Sequence, residues 1–254
     1  MNAIEADHWL RSDRKVNEPR LRVIGVPYAG GSATIFRPWQ SLLPEDVELR
    51  AVQLPARQDR LKEPGIRSVD ELVDRLTAAI EALPPAPLVL YGHSFGTLVA
   101  FELARRLLAR RLAVRALAVG ARRAPQLARR EAPIFGLGDR AFLDALHRRY
   151  GISRSIIDNA ELIGLALPSL RADFEALETY VHRPEPLDVP VVGLHGRQDA
   201  SVDRAEAAAW AEVTSGVFSF VEVDGGHYFV DTHRAWVVSK VLAAGLGPDG
   251  AVRN

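Results

Sequence analysis

Six short apolar segments recur along the 254-residue chain, and patterns typical of helices separate most of them. The segments cover residues 21–26, 48–54, 88–91, 114–119, 189–194 and 217–223. They are apolar almost throughout, which is typical of strands buried on both faces of a parallel sheet. Strands that alternate with helices in this way predict an α/β fold, in which a mostly parallel sheet is flanked by helices.

Two helix starts support this pattern. Ser68 and Glu71 have the spacing of a capping box at the start of a helical run, and Asp203 and Glu206 have the same spacing. Both pairs place a helix between two of the predicted strands, as the α/β fold requires.

Residues 125–186 break the alternation, because they contain no convincing strand pattern. Helical stretches are predicted near residues 139–149 and 158–180. A helical insertion between two strands favours a lid over a site, and a plain helical crossover is the alternative. We therefore expect a core of residues 1–124 and 187–254 and a helical lid of residues 125–186, with a loose tail after Gly245.

Charge and cysteine content exclude several classes of protein. Basic and acidic residues are equal at 32 each, so nothing in the net charge favours nucleic acid as a partner. The chain has no cysteine, which excludes disulfides, a catalytic thiol and thiolate metal sites. Residues 1–15 lack a signal-peptide core, and no stretch approaches the roughly 18 apolar residues of a membrane span. We expect a soluble, cytoplasmic protein that binds neither nucleic acid nor membrane.

Residues 92–96, Gly-His-Ser-Phe-Gly, form a G-x-S-x-G motif between a buried-strand pattern and a helical pattern. Strand, sharp turn and helix are the setting in which this motif presents a nucleophilic serine. The sequence therefore predicts Ser94 as a nucleophile. The alternative is a glycine-rich turn in which the serine has no role.

A serine hydroxyl needs a base to remove its proton, and with this motif the acid and then the histidine follow the serine along the chain. His227 follows the last predicted strand and two glycines, which permit a tight loop over Ser94. It is the predicted base. His195, at the end of a strand, is the alternative, whereas His233 is more typical of a surface residue.

The acid that orients the base is predicted to be Asp199, just beyond a strand end. Asp203 is the rival, but its position is typical of a helix cap, and Asp224 is too near His227 in sequence. A metal site formed by His195, Asp199 and His227 would leave the glycine-flanked serine unexplained, so we expect no metal.

Two backbone N–H groups are needed to bind the oxyanion of an acyl-transfer reaction. One is expected from Phe95, the residue after the nucleophile, and the other from a loop after an early strand. Residues 26–32, Val-Pro-Tyr-Ala-Gly-Gly-Ser, fit such a loop. A simple turn between strand and helix is the alternative.

Several motifs together resemble those of one family. They are V-P-Y-A-G-G at residues 26–31, V-Q-L-P-A-R-Q-D-R at 52–60, F-E-L-A-R-R at 101–106, R-R-A-P at 122–125, L-P-S-L-R-A-D-F at 167–174 and G-G-H-Y-F at 225–229. From Trp9 to about Phe229 the chain resembles a type II thioesterase of the α/β-hydrolase superfamily. These are free-standing editing enzymes of polyketide and nonribosomal peptide assembly lines.

The resemblance implies an α/β-hydrolase fold and a triad of Ser94, Asp199 and His227, with Ala29 and Phe95 as oxyanion donors. It also implies hydrolysis, without a cofactor, of acyl thioesters on the phosphopantetheine arm of an acyl or peptidyl carrier protein. Such an enzyme would clear misprimed or stalled chains from the carriers. We also expect it to be a monomer. A small-molecule carboxylesterase and a non-catalytic carrier-binding protein are the alternatives.

The sequence departs from the family at Ala56, Gln58, Gln198 and Ala200, which replace the usual Gly, Glu, a frequent acidic residue and a frequent Pro. None of these positions belongs to the predicted triad. The departures concern loop shape, and so the choice of substrate.

Arginines are concentrated around the predicted lid, where they are predicted to help recognise an acidic carrier. They are Arg122, Arg123, Arg129, Arg130, Arg148 and Arg149. The alternative is a solvated basic face without a binding role.

Overall fold

A computed structural model describes residues 1–247, and within them seven strands form one sheet in the order β1-β3-β2-β4-β5-β6-β7. The strands are β1 (Leu10–Arg11), β2 (Leu21–Val26), β3 (Val47–Val52), β4 (Leu88–His93), β5 (Val114–Gly120), β6 (Val191–Gly196) and β7 (Phe218–Val223). Every neighbouring pair is parallel except β1 and β3, which are antiparallel.

Helices cover both faces of this sheet. They are α1 (Ala3–Trp9), α2 (Val69–Glu81), α3 (Phe95–Ala109), α4 (Asp139–Tyr150), α5 (Arg154–Ile157), α6 (Ala160–Thr179), α7 (Arg204–Ala208), α8 (Phe229–Thr232) and α9 (Arg234–Leu246). Short 3₁₀ helices occupy Ala33–Leu42, Gln58–Arg60 and Ala209–Val213. Helices α2 and α3 pack on one face, while α9 and the first 3₁₀ helix pack on the other.

The predicted α/β class is confirmed, and all six predicted strands are present with ends that shift by up to two residues. Strands β2, β3 and β4 are buried along their whole length, as their apolar sequences indicated. Strand β1 was not predicted, because two residues carry no periodic signal. Strand β7 lies at the edge of the sheet and is only partly buried.

The two predicted helix starts differ. Asp203 and Glu206 form the expected reciprocal capping box at the start of α7. Ser68 caps α2 by accepting a hydrogen bond from the backbone N–H of Glu71, but the reciprocal bond from the Glu71 side chain is absent, so the capping-box prediction is wrong in this part.

Residues 125–186, all within the described region, contain helices α4, α5 and α6 and no strand. Apolar side chains of α4 and α6, including Phe142 and Phe174, belong to the same buried cluster as Phe95 and Leu98 of α3. The helical segment therefore shares a buried core with α3, the helix that follows the serine-bearing turn.

Helix α9 continues to Leu246, so the tail predicted to be loose after Gly245 starts as helix, and residues 248–254 lie outside the described residues. Between residues 1 and 247 no helix is both long and apolar enough to span a membrane.

Candidate active site

Ser94 occupies the sharp turn between β4 and α3, with φ 53° and ψ −115°. This conformation is strained for a non-glycine residue, and such strain is found at functional turns. The glycines on either side permit it. A Cβ atom at Gly92 would overlap the Gly96 carbonyl oxygen, and one at Gly96 would overlap the carbonyl oxygen of Val26. The turn can therefore form only where both positions are glycine.

The three residues predicted as nucleophile, base and acid lie in one hydrogen-bonded chain. The Nε2 atom of His227 is 3.0 Å from the Oγ atom of Ser94. Its Nδ1 atom is 2.8 Å from Oδ2 of Asp199. The Asp199 side chain is fully buried and that of His227 is 8% exposed. This arrangement allows His227 to accept the hydroxyl proton while Asp199 fixes the orientation of the ring.

Ser201 was not predicted, yet it contacts both partners. Its hydroxyl donates to Oδ1 of Asp199 at 2.7 Å and lies 2.8 Å from Nδ1 of His227, and its backbone N–H donates to the same Oδ1 at 2.9 Å. Burial acts to raise the pKa of Asp199, but hydrogen bonds from His227 and Ser201 hold it below its usual value. The acid is therefore ionised at neutral pH.

His93, inside the motif, is a second residue whose contacts were not foreseen. Its buried ring bridges Tyr91 and the backbone of His227: Nδ1 is 2.7 Å from the Tyr91 hydroxyl, and Nε2 is 2.7 Å from the His227 carbonyl oxygen. Burial lowers the pKa of His93 to about 3, so the ring is neutral. A neutral ring can donate from Nε2 to the carbonyl and accept from Tyr91 at Nδ1.

The rival residues lie elsewhere. The His195 ring is buried against Phe220, and its Nδ1 atom has no hydrogen-bond partner in residues 1–247. Asp203 caps α7, and Asp224 is exposed and accepts from Gln198. Among the described residues no cluster of three or more His, Asp or Glu side chains could hold a metal ion.

The two amides named as oxyanion donors are free of protein acceptors in the described part of the chain. Phe95 is the first residue of α3, where an N–H has no partner within the helix. Ala29 lies in the loop after β2, and the N–H of its neighbour Gly30 donates to Asp173 at 2.7 Å.

A buried ion pair connects the loop after β2 to α6. Arg57 forms two hydrogen bonds to the carboxylate of Asp173, at 2.7 and 2.8 Å, and a third to the Gly31 carbonyl oxygen at 3.0 Å. The two side chains are only 6% and 2% exposed. Asp173 thus contacts both the arginine and the N–H of Gly30, so one carboxylate from the helical segment helps to fix the loop after β2.

A cavity of about 750 Å³ opens onto Ser94 and His227. All six arginines singled out from the sequence line it. Arg122, Arg123 and Arg149 are half-buried, and the others are exposed. The predicted basic surface therefore lies inside and around the cavity over the serine.

Comparisons with known proteins agree with this geometry. Residues 22–244 match the family model described as "Thioesterase domain". The chain is 39% identical over 231 residues to "Thioesterase PikA5" of Streptomyces venezuelae, over 90% of this chain and 82% of the relative. It is 30% identical over 228 residues to "Gramicidin S biosynthesis protein GrsT" of Aneurinibacillus migulanus, over 89% of each.

Among solved structures, that of the type II thioesterase BorB from the borrelidin biosynthetic cluster is similar, with a TM-score of 0.84 and 36% identity over 93% of this chain and 97% of that chain. The matched region includes Ser94, Asp199 and His227. The resemblance seen in the sequence is thereby confirmed, and the chain belongs to the thioesterase domain family as a thioester hydrolase with an α/β-hydrolase fold.

Proposed function

We propose that this protein hydrolyses acyl thioesters through an acyl-enzyme on Ser94. His227 takes the hydroxyl proton as Ser94 attacks the thioester carbonyl, and it returns the proton to the departing thiolate. Asp199 stabilises the imidazolium formed in between. A water molecule, activated by His227, then releases the acid and restores the serine. The observation that carries the proposal is the chain of hydrogen bonds from Ser94 through His227 to Asp199.

We further propose that the N–H groups of Ala29 and Phe95 bind the oxyanion. In support, neither donates to an acceptor within residues 1–247, and one of them begins α3, where the positive end of the helix dipole favours negative charge. The contact between Asp173 and Gly30 would fix the position of the first donor.

The substrates in this proposal are acyl groups on the phosphopantetheine arm of an acyl or peptidyl carrier protein. Relatives named for the biosynthesis of cadicidin and of gramicidin S support this class. The role would be to clear misprimed or stalled chains in polyketide or nonribosomal peptide synthesis. Residues 125–186 would act as a lid, since they supply much of the wall of the cavity that opens onto Ser94.

The arginines around the cavity would contribute to carrier recognition through the exposed members Arg129, Arg130 and Arg148. Complementary charge mainly raises the association rate, and salt screens it. We expect kcat/KM for an acyl-carrier to fall with salt more steeply than kcat/KM for the same acyl group on pantetheine. An equal salt dependence for both substrates would contradict this role.

A direct test compares a carrier-bound thioester with an oxygen ester of the same acyl group. The proposal predicts faster hydrolysis of the thioester, covalent labelling of Ser94 by a fluorophosphonate, and loss of both in Ser94→Ala. Faster cleavage of the oxygen ester would favour a carboxylesterase. Absence of labelling would favour a non-catalytic carrier-binding protein.

A further inference from the structure

Arg122 differs from the other half-buried arginines of the cavity. Arg123 pairs with Glu206 at 3.1 Å, and Arg149 pairs with Glu131. The guanidinium of Arg122 has no ion pair and no hydrogen-bond acceptor among the residues that the structure describes, although it lines the cavity.

The position of Arg122 is close to the reacting groups. It lies two residues after Gly120, whose carbonyl oxygen accepts the backbone N–H of Ser94 at 2.8 Å. The residue between them, Ala121, has a φ of 52°, which is strained for a residue with a Cβ atom. Strain of this kind persists only where the surroundings fix it, and it is concentrated at functional sites.

A second unpartnered donor lies beside it. Tyr150 lines the same cavity, its ring centroid is 5.7 Å from that of His227, and its hydroxyl has no partner in the described part of the chain. Glu178 is near enough to influence Arg122, but its Oε2 atom accepts the N–H groups of Ile134 and Phe135, both at 2.8 Å. The two free donors are thus left facing the cavity volume.

The chemistry of an unpaired guanidinium indicates its ligand. Arginine stays charged, so it cannot relieve burial by losing its proton, even though burial lowers the pKa of Arg122. Its charge has no counter-charge among the described residues, and a carboxylate or phosphate would pair with it through two hydrogen bonds. A phenol hydroxyl can add a further bond to the same anion.

We propose that Arg122 and Tyr150 form an anion-binding subsite for the substrate. The inference rests on the proposed hydrolase function. The shared chemistry is a group of anionic oxygens, and it has two sources in a carrier-bound substrate: a terminal carboxylate on the acyl group, or the phosphate of the phosphopantetheine arm. The subsite would make the enzyme select among substrates by charge and not only by chain length.

The test uses four thioesters: a neutral acyl group and a carboxylate-ended acyl group of matched length, each on pantetheine and on phosphopantetheine. The measured quantity is the ratio of kcat/KM for each anionic substrate to that for the neutral acyl-pantetheine. A hydrogen bond to a charged group corresponds to about a tenfold to hundredfold loss. We expect Arg122→Gln to lower this ratio by that factor for at least one anionic source, and Tyr150→Phe by about threefold to tenfold.

Two further variants separate binding from structure. Arg115→Gln removes the same charge from an exposed position on β5, outside the cavity, and should leave the ratio unchanged within about twofold. Arg122→Lys keeps the charge without the paired donors and should restore part of the ratio. The anionic substrate whose ratio falls identifies the source, which is either the acyl carboxylate or the phosphate of phosphopantetheine.

If Arg122→Gln lowers kcat/KM equally for all four substrates, the ratio is unchanged. That result would assign Arg122 a merely structural role and overturn the inference. The affinity of Ser94→Ala for the four thioesters, measured by calorimetry, provides an independent reading. If the wild-type enzyme hydrolyses neither these four nor a carrier-bound thioester, the proposed function fails, while tighter binding of an anionic thioester that depends on Arg122 would still support the subsite. Equal affinities for all four would overturn it.

Discussion

The buried pair of Arg57 and Asp173 should support both stability and turnover. In Asp173→Asn the shape of the side chain is kept, but Arg57 loses its counter-charge while remaining 6% exposed. Breaking one partner of a buried pair costs about 3–5 kcal/mol. This is a large part of the roughly 5–15 kcal/mol by which domains are stable. For a chain of this size it corresponds to a fall in melting temperature of roughly 6–20 °C.

Turnover should also fall, because the same carboxylate accepts the N–H of Gly30, next to the proposed oxyanion donor Ala29. Loss of one such donor costs about 10²–10³ in kcat, which sets the upper limit for a displaced loop. Circular dichroism would follow unfolding, and release of free thiol from an acyl-pantetheine would follow turnover below the melting temperature.

Glu175→Gln is the matched control, since it removes a carboxylate from the same helix. Glu175 pairs with Arg67, whose side chain is 61% exposed, and exposed pairs contribute about 0–1 kcal/mol. Its melting temperature should change by less than about 4 °C, with kcat unaltered. If Asp173→Asn and Glu175→Gln behaved alike, the argument from the buried pair would be refuted.

Three further predictions concern the proposed triad. Ser94→Ala should reduce turnover on the order of 10⁶-fold without changing the melting temperature. A variant that kept more than about a hundredth of the wild-type rate would exclude Ser94 as nucleophile. Asp199→Asn should cost roughly 10⁴ in kcat. Asp203→Asn weakens the cap of α7 and an exposed ion pair with Arg130, and it should change kcat little. The reverse order would identify a different acid. His227→Ala should abolish turnover, because no base is then left to take the Ser94 hydroxyl proton. The lowered pKa of Asp199 keeps the acid ionised above that pKa, and its contribution is lost only as the pH falls through it. A His227→Ala variant with the wild-type rate and pH profile would contradict this role.

The sequence was most informative where a local pattern specifies a local structure. The glycines around Ser94 require a tight turn, and continuous apolar runs predicted the buried strands. The loop with two glycines before His227 also indicated that its ring could return over the serine. The structure brings these residues together as expected.

The sequence was least informative where a contact joins distant residues. Arg57 and Asp173 are 116 residues apart, and no local pattern relates them. In the sequence Ser201 has no distinguishing pattern, and its contacts with Asp199 and His227 arise only because the ends of β6 and β7 lie side by side. The pairing state of each arginine in the cavity likewise depends on neighbours that only the fold supplies, so the free guanidinium of Arg122 could not be distinguished in advance.

The bridge made by His93 has a consequence for how the site tolerates motion. His93 is the last residue of β4, directly before Ser94, and its neutral imidazole also bonds to the backbone of His227. This bond ties the base to the strand that carries the nucleophile, and neither of its two atoms belongs to α4 or α6. A movement of α4 or α6 that admits a bulkier acyl group would therefore leave this bond between His93 and the His227 backbone in place. The range of acyl groups accepted would then depend on the 125–186 helices, whereas the position of the base would depend on β4.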